Sequence, residues 1–350
     1  MEKIVKGYEI KKSGFFDGAD FSGEDLRYLD ISNSRFIRTN FNNSNLSHSN
    51  LSHSTFAYSN LEGADLKNAN IYRAYFGHSN LEGADLKNTD LSHSNLYEAD
   101  LRNADLRNAN LSYSIAGRAD FRDANLREAN LGGANLNHAN LGGANLDHAN
   151  LREANLEGAN LEDASLYNTN FKYANLRDAN LERTYLRDAN LKNANLERAN
   201  LERANLERAN FTGASFLGAN LKDVNLEYTN LKDAILDGVI LDDVFLRKAI
   251  LRSSSLIGAS LKRANLTDAN LTDAILRSSS LIDASLKRAN LTDANLTDAN
   301  LRNANLEDAS LYNTNFKGAN LDGAIIDDGE GNNYILGSKE YWKKIDKKGE

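Results

Sequence analysis

Six histidines, His48, His53, His78, His93, His138 and His148, are the side chains best suited to metal binding or proton transfer, since the chain has no cysteine. All six stand two residues after an apolar residue of a five-residue frame, at a polar corner position that faces solvent. His53 and His93 share a face, but two strand spacings separate them by about 10 Å, whereas zinc–imidazole bonds are about 2 Å long. The Ser-His-Ser runs and Ser253 to Ser255 bring hydroxyls with no histidine and carboxylate placed to activate them, so no triad is expected. Carboxylates mostly stand beside Arg or Lys on neighbouring corners, the mark of a solvated, salt-laced surface. The stretch DDGEGNN from Asp327 to Asn333 offers oxygen ligands for calcium, but it lacks EF-hand spacing and reads as an exit loop. The expectation is a protein that is not an enzyme and holds no metal or cofactor.

The elements that position these residues follow from the frame. Every fifth residue from Phe16 to Ile326 gives 63 centres, each Leu, Phe or Ile except Ala116, with no insertion or deletion. Two residues before each centre stands a small side chain, such as Ala64, Ser49 or Thr169, and one before it Asn or Asp, such as Asn60 or Asp65. A period of five fits neither an amphipathic helix nor a long alternating strand. It fits a three-residue strand whose small residue and centre point inward while the Asn or Asp points outward, followed by a polar corner.

The tandem ANLEG, ADLKN, ANLER and ANLTD units resemble the pentapeptide-repeat family over about residues 14 to 328. The resemblance implies an all-β fold, a right-handed quadrilateral β-helix in which four pentapeptides make a coil. About 16 coils at about 4.8 Å per stacked strand would make a rod about 75 Å long. Stacking places each centre over the one twenty residues away, at about 1.5 to 3 kcal/mol per buried side chain, so stability is collective. Ala116 is the expected weak point, unless Ile115 swings inward, and Glu24 and Leu29 depart from the small-residue rule near the N-terminal end. Residues 1–13 and 329–350 are the available covers for the two open ends. In the tail, a short helix after Ser338 would carry Tyr341, Trp342 and Ile345. Some members of the family use a C-terminal element to join subunits, so a dimer through that segment is the alternative to the expected monomer.

The repeats also record copying. Residues 250–274 return at 275–299 with one change, Gly258 to Asp283, and LEDASLYNTNFK at 161–172 returns at 306–317. The first offset is five pentapeptides where a coil has four, so each copy lands rotated by one face.

With 41 basic and 49 acidic residues the net charge is -8, which argues against direct nucleic-acid binding. No apolar run approaches a membrane span, and the N-terminus lacks a secretory apolar core, so cytoplasmic residence is expected. The expected partner is another protein. Ile37, Tyr58, Tyr72, Tyr75, Tyr97, Tyr113 and Ile115 gather on two adjoining faces with His53, His78 and His93 and few charges, as protein interfaces favour. A second candidate is the ring of Ile235, Ile240, Phe245 and Ile250, where apolar residues replace the outward Asn; β-branched residues serving as good strand formers are the favoured explanation of it. The alternative function comes from relatives that mimic DNA and protect type II topoisomerases such as DNA gyrase. The face with centres 21 through 321 carries 15 acids and 8 bases, whereas duplex DNA of that length would carry about 44 charges.

Overall fold

The computed structural model describes residues 3–327 and the backbone of 333–335. The chain forms two compact units, the first ending at Tyr185 and the second beginning at Leu186.

In the first unit the hairpin of β1 (Lys3–Val5) and β2 (Tyr8–Ile10) precedes the repeats. Its two-residue turn has positive φ at both Lys6 (47°) and Gly7 (85°), as a twisted hairpin needs. Beyond it, each outward residue makes a single parallel bridge with the residue twenty positions on, as in Asn45 with Asp65 and Asp65 with Asp85. A strand of three residues is thus one step of a parallel stack, and four such steps return the chain to the same wall. We name the walls of this unit by their first centres: Phe16, Phe21, Leu26 and Ile31.

Three backbone bonds per pentapeptide tie neighbouring coils. Leu46 N–H donates to Asp65 O at 2.7 Å, His48 N–H to Lys67 O at 3.0 Å, and Asp65 N–H to Ser44 O at 2.9 Å. A fourth, from Ser49 N–H to Leu46 O at 3.2 Å, closes the corner. The second corner residue takes a left-handed φ, 60° at His48 and 59° at Tyr58, so the corner asks for a conformation that Gly, Asn and Asp adopt most easily.

The outward Asn has two jobs. Its Oδ1 accepts the N–H two residues on, as Asn45 does from Ser47 at 3.0 Å, which caps the corner. Its Nδ2 reaches down the stack: Asn110 donates to Asp90, Asn130 to Asn110 and Asn150 to Asn130, at 3.1, 3.1 and 2.8 Å. Some inward hydroxyls donate to carbonyls of the coil before, as with Thr39 on Phe16 O and Ser49 on Leu26 O, both at 2.7 Å, and others to the carbonyl three residues back in their own coil, as with Ser79 on Phe76 O at 2.7 Å and Ser94 on Leu91 O at 2.6 Å; Ser44 Oγ and Ser114 Oγ are buried without a partner.

The core of the first unit begins with a column of rings. Phe16, Phe36, Phe56 and Phe76 stack at centroid spacings of 5.1, 4.9 and 4.7 Å. The column continues through Leu96, Ala116 and Leu136, all fully buried. Ile115 does not swing inward beside Ala116; it points out and is 45% exposed. The strand's alternation fixes it there, because Ser114 and Ala116 already take the two inward positions. Over the first coil, Tyr8 lies edge-on to Phe16 and Phe21, with Val5 and Ile10 buried. Glu24 is half-buried and faces Lys6 of the hairpin at 3.8 Å, so its departure from the small-residue rule has a partner, and Leu29 is buried.

The second unit repeats the i to i+20 register, with Val224, Val239 and Val244 accommodated in its buried interior. It ends in a three-stranded sheet ordered β3 (Asn305–Leu306), β4 (Ile325–Asp327) and β5 (Asn333–Ile335). β4 pairs in parallel with β3 and antiparallel with β5. The expected helix after Ser338, with Tyr341, Trp342 and Ile345, lies outside the described residues.

Candidate functional site

The first candidate set falls on one wall and its two edges. Tyr75 and Ile115 are outward residues of the Phe16 wall; Ile37, Tyr58 and Tyr97 line its corner toward the Phe21 wall, and Tyr72 and Tyr113 its corner from the Ile31 wall. Tyr58, Tyr75, Tyr113 and Ile115 are exposed, whereas Ile37, Tyr72 and Tyr97 are half-buried. The two faces expected from the sequence are therefore a single wall seen from either corner.

Stacking across coils holds the rings in place. At one edge Arg38 lies 5.9 Å from the Tyr58 centroid, Tyr58 stacks on His78 at 4.9 Å with 4° between planes, and Tyr97 meets His78 edge-on at 6.0 Å. At the other, His53 and His93 both meet Tyr72 edge-on, at 5.6 and 5.7 Å, Arg73 lies 5.1 Å from its centroid, and His93 stacks on Tyr113 at 5.4 Å. The histidines are thus spacers between tyrosines, a role invisible in their spacing alone.

Glycines accommodate two of the rings. A Cβ on Gly77 would sit 2.5 Å from Tyr75 Oη, and one on Gly133 would sit 2.6 Å from Tyr113 Cε1, so both tyrosines lie flat over bare backbone. Gly133 also borders an open hollow of about 340 Å³ with Tyr113, Asn130, Asn150 and Arg152. Tyr75 and Ile115 stand where Asn would otherwise cap the corner, giving up a hydrogen bond worth about 1 kcal/mol each.

Charge enters at the edges, more than the sequence suggested. His78 Nδ1 lies 3.2 Å from Glu98 Oε2, and Arg118 Nη1 lies 3.4 Å from Glu98 Oε1. The neighbouring Tyr97 hydroxyl, Arg118 and His78 hold the Glu98 carboxyl below its usual value, and Glu98 in turn pushes the Tyr97 phenol up. Among the described residues no cluster of three histidines or acids is placed to hold a metal.

The second candidate set lies in the second unit. Ile235, Ile240, Phe245 and Ile250 are all exposed, but each occupies a different wall, and only Ile275 recurs on the wall of Ile235. They form a belt that no single flat partner could cover.

On the Phe21 wall of the first unit, carboxylates meet bases. Arg102 pairs with Asp100 and Glu82 at 2.6 and 2.8 Å, and Arg122 with Asp120 at 2.6 Å. In the second unit Arg263 pairs with Asp243 and Lys222 with Glu202.

Models of pentapeptide repeats match residues 69–108, 104–143, 144–183, 184–223, 214–253, 254–293 and 289–328, and a model of a pentapeptide repeat region matches 10–86. The chain belongs to the pentapeptide-repeat family. Its fold is accordingly the family's right-handed quadrilateral β-helix. Among solved structures, the chain is similar to HetL, a pentapeptide repeat protein involved in heterocyst differentiation regulation in the cyanobacterium Nostoc sp. strain PCC 7120. Identity is 34%, over 73% of this chain and 93% of HetL, with a TM-score of 0.22. A pentapeptide repeat protein of the Arabidopsis thaliana thylakoid lumen is 31% identical over 35% of this chain and 74% of its own, with a TM-score of 0.23. Rfr23 from the cyanobacterium Cyanothece 51142 is 27% identical over 40% and 88%, with a TM-score of 0.22. No curated protein matches the chain.

Proposed function

We propose that this pentapeptide-repeat protein is a non-enzymatic scaffold of about 16 coils, 63 pentapeptides taken in fours, that binds another protein through the Phe16 wall of its first unit. The observation that carries this reading is the immobilisation of the aromatic side chains: Tyr75 lies over Gly77, and Tyr58 lies between Arg38 and His78. Rings already fixed lose little entropy when a partner docks, and tyrosine is among the residues that dominate interface energetics. The two forgone Asn caps point the same way, since the wall gives up local stability to display Tyr75 and Ile115. The repeat itself dictates about three of every five residues, so identity to HetL at this level reports a shared register more than a shared partner.

The test compares wild type with Tyr75→Ser/Tyr97→Ser in affinity capture from host extract, followed by titration of the captured partner. Both side chains point away from the core, so folding should be unchanged while binding weakens by about 2 kcal/mol or more. A native partner bound equally by both proteins overturns the reading.

A second reading, a DNA mimic that binds a type II topoisomerase, is favoured by the residues flanking centres 21 through 321, which number 15 acids against 8 bases in the sequence. Ion pairs among them weaken their field. Added protein changing gyrase supercoiling at stoichiometric concentration would establish it, and no effect would dismiss it.

A further inference from the structure

The aromatic wall differs from the rest of the first unit in charge. Over residues 32–118 the chain has eight bases and eight acids. The Phe16 wall and its corners hold Arg35, Arg38, Arg73 and Arg118 against Glu98, a balance of +3. The other three walls hold Lys67, Lys87, Arg102 and Arg107 against Glu62, Asp65, Glu82, Asp85, Asp90, Asp100 and Asp105, a balance of -3. A segment that is neutral overall has therefore sorted its charge by wall, and the positive wall is the one that displays the rings.

The pairing of these charges sharpens the point. Acids on the other walls meet bases, as Asp85 and Asp105 both meet Lys87, and Asp105 meets Arg107. On the aromatic wall Arg35 is taken by Asp17 and Arg118 by Glu98. Arg38 and Arg73 instead lie against Tyr58 and Tyr72, one at each edge, and are exposed, with no carboxylate within ion-pair distance among the described residues. A guanidinium held over a ring by a cation–π contact leaves its N–H donors available to a planar carboxylate.

We propose that the partner segment received by this wall is an acidic peptide stretch with apolar or aromatic residues between its carboxylates, the carboxylates meeting Arg38 and Arg73 and the apolar groups lying on Tyr75 and Ile115. This rests on the protein-binding reading above and specifies its chemistry. Nucleic acid is the weaker occupant, because the negative walls on either side would repel a polyanion that extends past the patch.

The experiment selects from an unbiased displayed library of random twelve-residue peptides on the full-length protein, and removes binders that persist on Tyr75→Ser/Tyr97→Ser. The remaining peptides are measured by fluorescence anisotropy against wild type and Arg38→Asn/Arg73→Asn. Asparagine suits the left-handed backbone at both positions, where φ is 54° and 55°, so this variant removes charge without straining the corner. Enrichment of Asp and Glu among wall-dependent peptides, with binding about tenfold weaker in the arginine variant and weakened by salt, is the expected result. Wall-dependent peptides of neutral or basic composition, or acidic ones indifferent to the arginines, overturn the inference and leave the protein-binding reading standing. No wall-dependent peptide at all overturns both. A random single-stranded twelve-nucleotide DNA that binds the same wall more tightly than the selected peptides also overturns it.

Discussion

Replacing Ala116 by Leu should strengthen the first unit. The coil of Leu111, Ala116, Phe121 and Leu126 has one centre three carbons shorter than the rest of its column between Leu96 and Leu136. The wall has not moved in to close the gap. Ala116 N–H meets Asn135 O at 2.7 Å, the distance Leu136 N–H makes to Asn155 O in the next coil, and Ile115 faces solvent. Phe121 is the neighbour able to fill the space, but the coil of Leu161, Leu166, Phe171 and Leu176 takes a Phe among three Leu with every centre fully buried. Ala116→Leu gives the same four side chains in the same order. Three added carbons at about 0.8 kcal/mol each amount to about 2.4 kcal/mol, inside the range of about 2 to 5 kcal/mol for the reverse truncation in packed cores. Stacked coils need not unfold together, so the readout is local hydrogen exchange over residues 96–136. About 2.4 kcal/mol should slow it about fiftyfold. Exchange that is unchanged or faster would show that Phe121 already occupies the space and that Leu overfills it.

Gly77→Ala should evict the Tyr75 ring, since the new Cβ would lie within 3 Å of three of its atoms; tyrosine ring resonances should shift while the unfolding midpoint changes by less than about 1 kcal/mol, and an unmoved ring would show that it does not lie over the glycine. Lys262→Asp should stabilise the second unit by about 1 kcal/mol. Ser255 Oγ and Ile257 N–H both donate to Asp237 Oδ1, whereas in the rotated copy the equivalent Ser280 Oγ is buried without a partner and Lys262 stands where the acceptor would be. A urea midpoint that does not rise would refute this. Acid should destabilise both units. Arg27, Arg183, Arg263 and Arg288 hold Asp25, Asp163, Asp243 and Asp268 below the usual carboxylate value, so their contribution is complete above about pH 4 and is lost as pH falls through the lowered values. Urea midpoints should hold from pH 7 to 5 and drop by pH 2; equal midpoints at pH 7 and 2 would show that the pairs contribute nothing.

The register was legible because apolar spacing and alternation are local properties: Ala64 and Leu66 had to share an interior once the period of five was seen. What Asn45 does was not legible, since its bond to the Ser47 amide depends on a corner geometry that composition only hints at. The left-handed corner was hidden for the same reason; Gly takes it in places, but His48, Tyr58 and Glu98 take it too. Glu24 looked like a flaw until Lys6, eighteen residues earlier, was placed beside it. Periodicity put Tyr58, Tyr75 and Tyr97 on the surface correctly. It could not show that Arg38 and Arg73 lie over Tyr58 and Tyr72, because that depends on side-chain direction, nor that Gly77 is the bed on which Tyr75 lies.

The bonds between coils have a mechanical consequence. The chain runs around each coil, whereas the N–H to O=C bonds point from one coil to the next. Tension along the stacking direction is therefore carried by hydrogen bonds, one coil after another in series, and never by the covalent backbone until a coil has come away. Each release frees twenty residues, about 70 Å of extended chain, so either unit pulled from its ends should lengthen in equal increments at low force, like thread drawn from a spool.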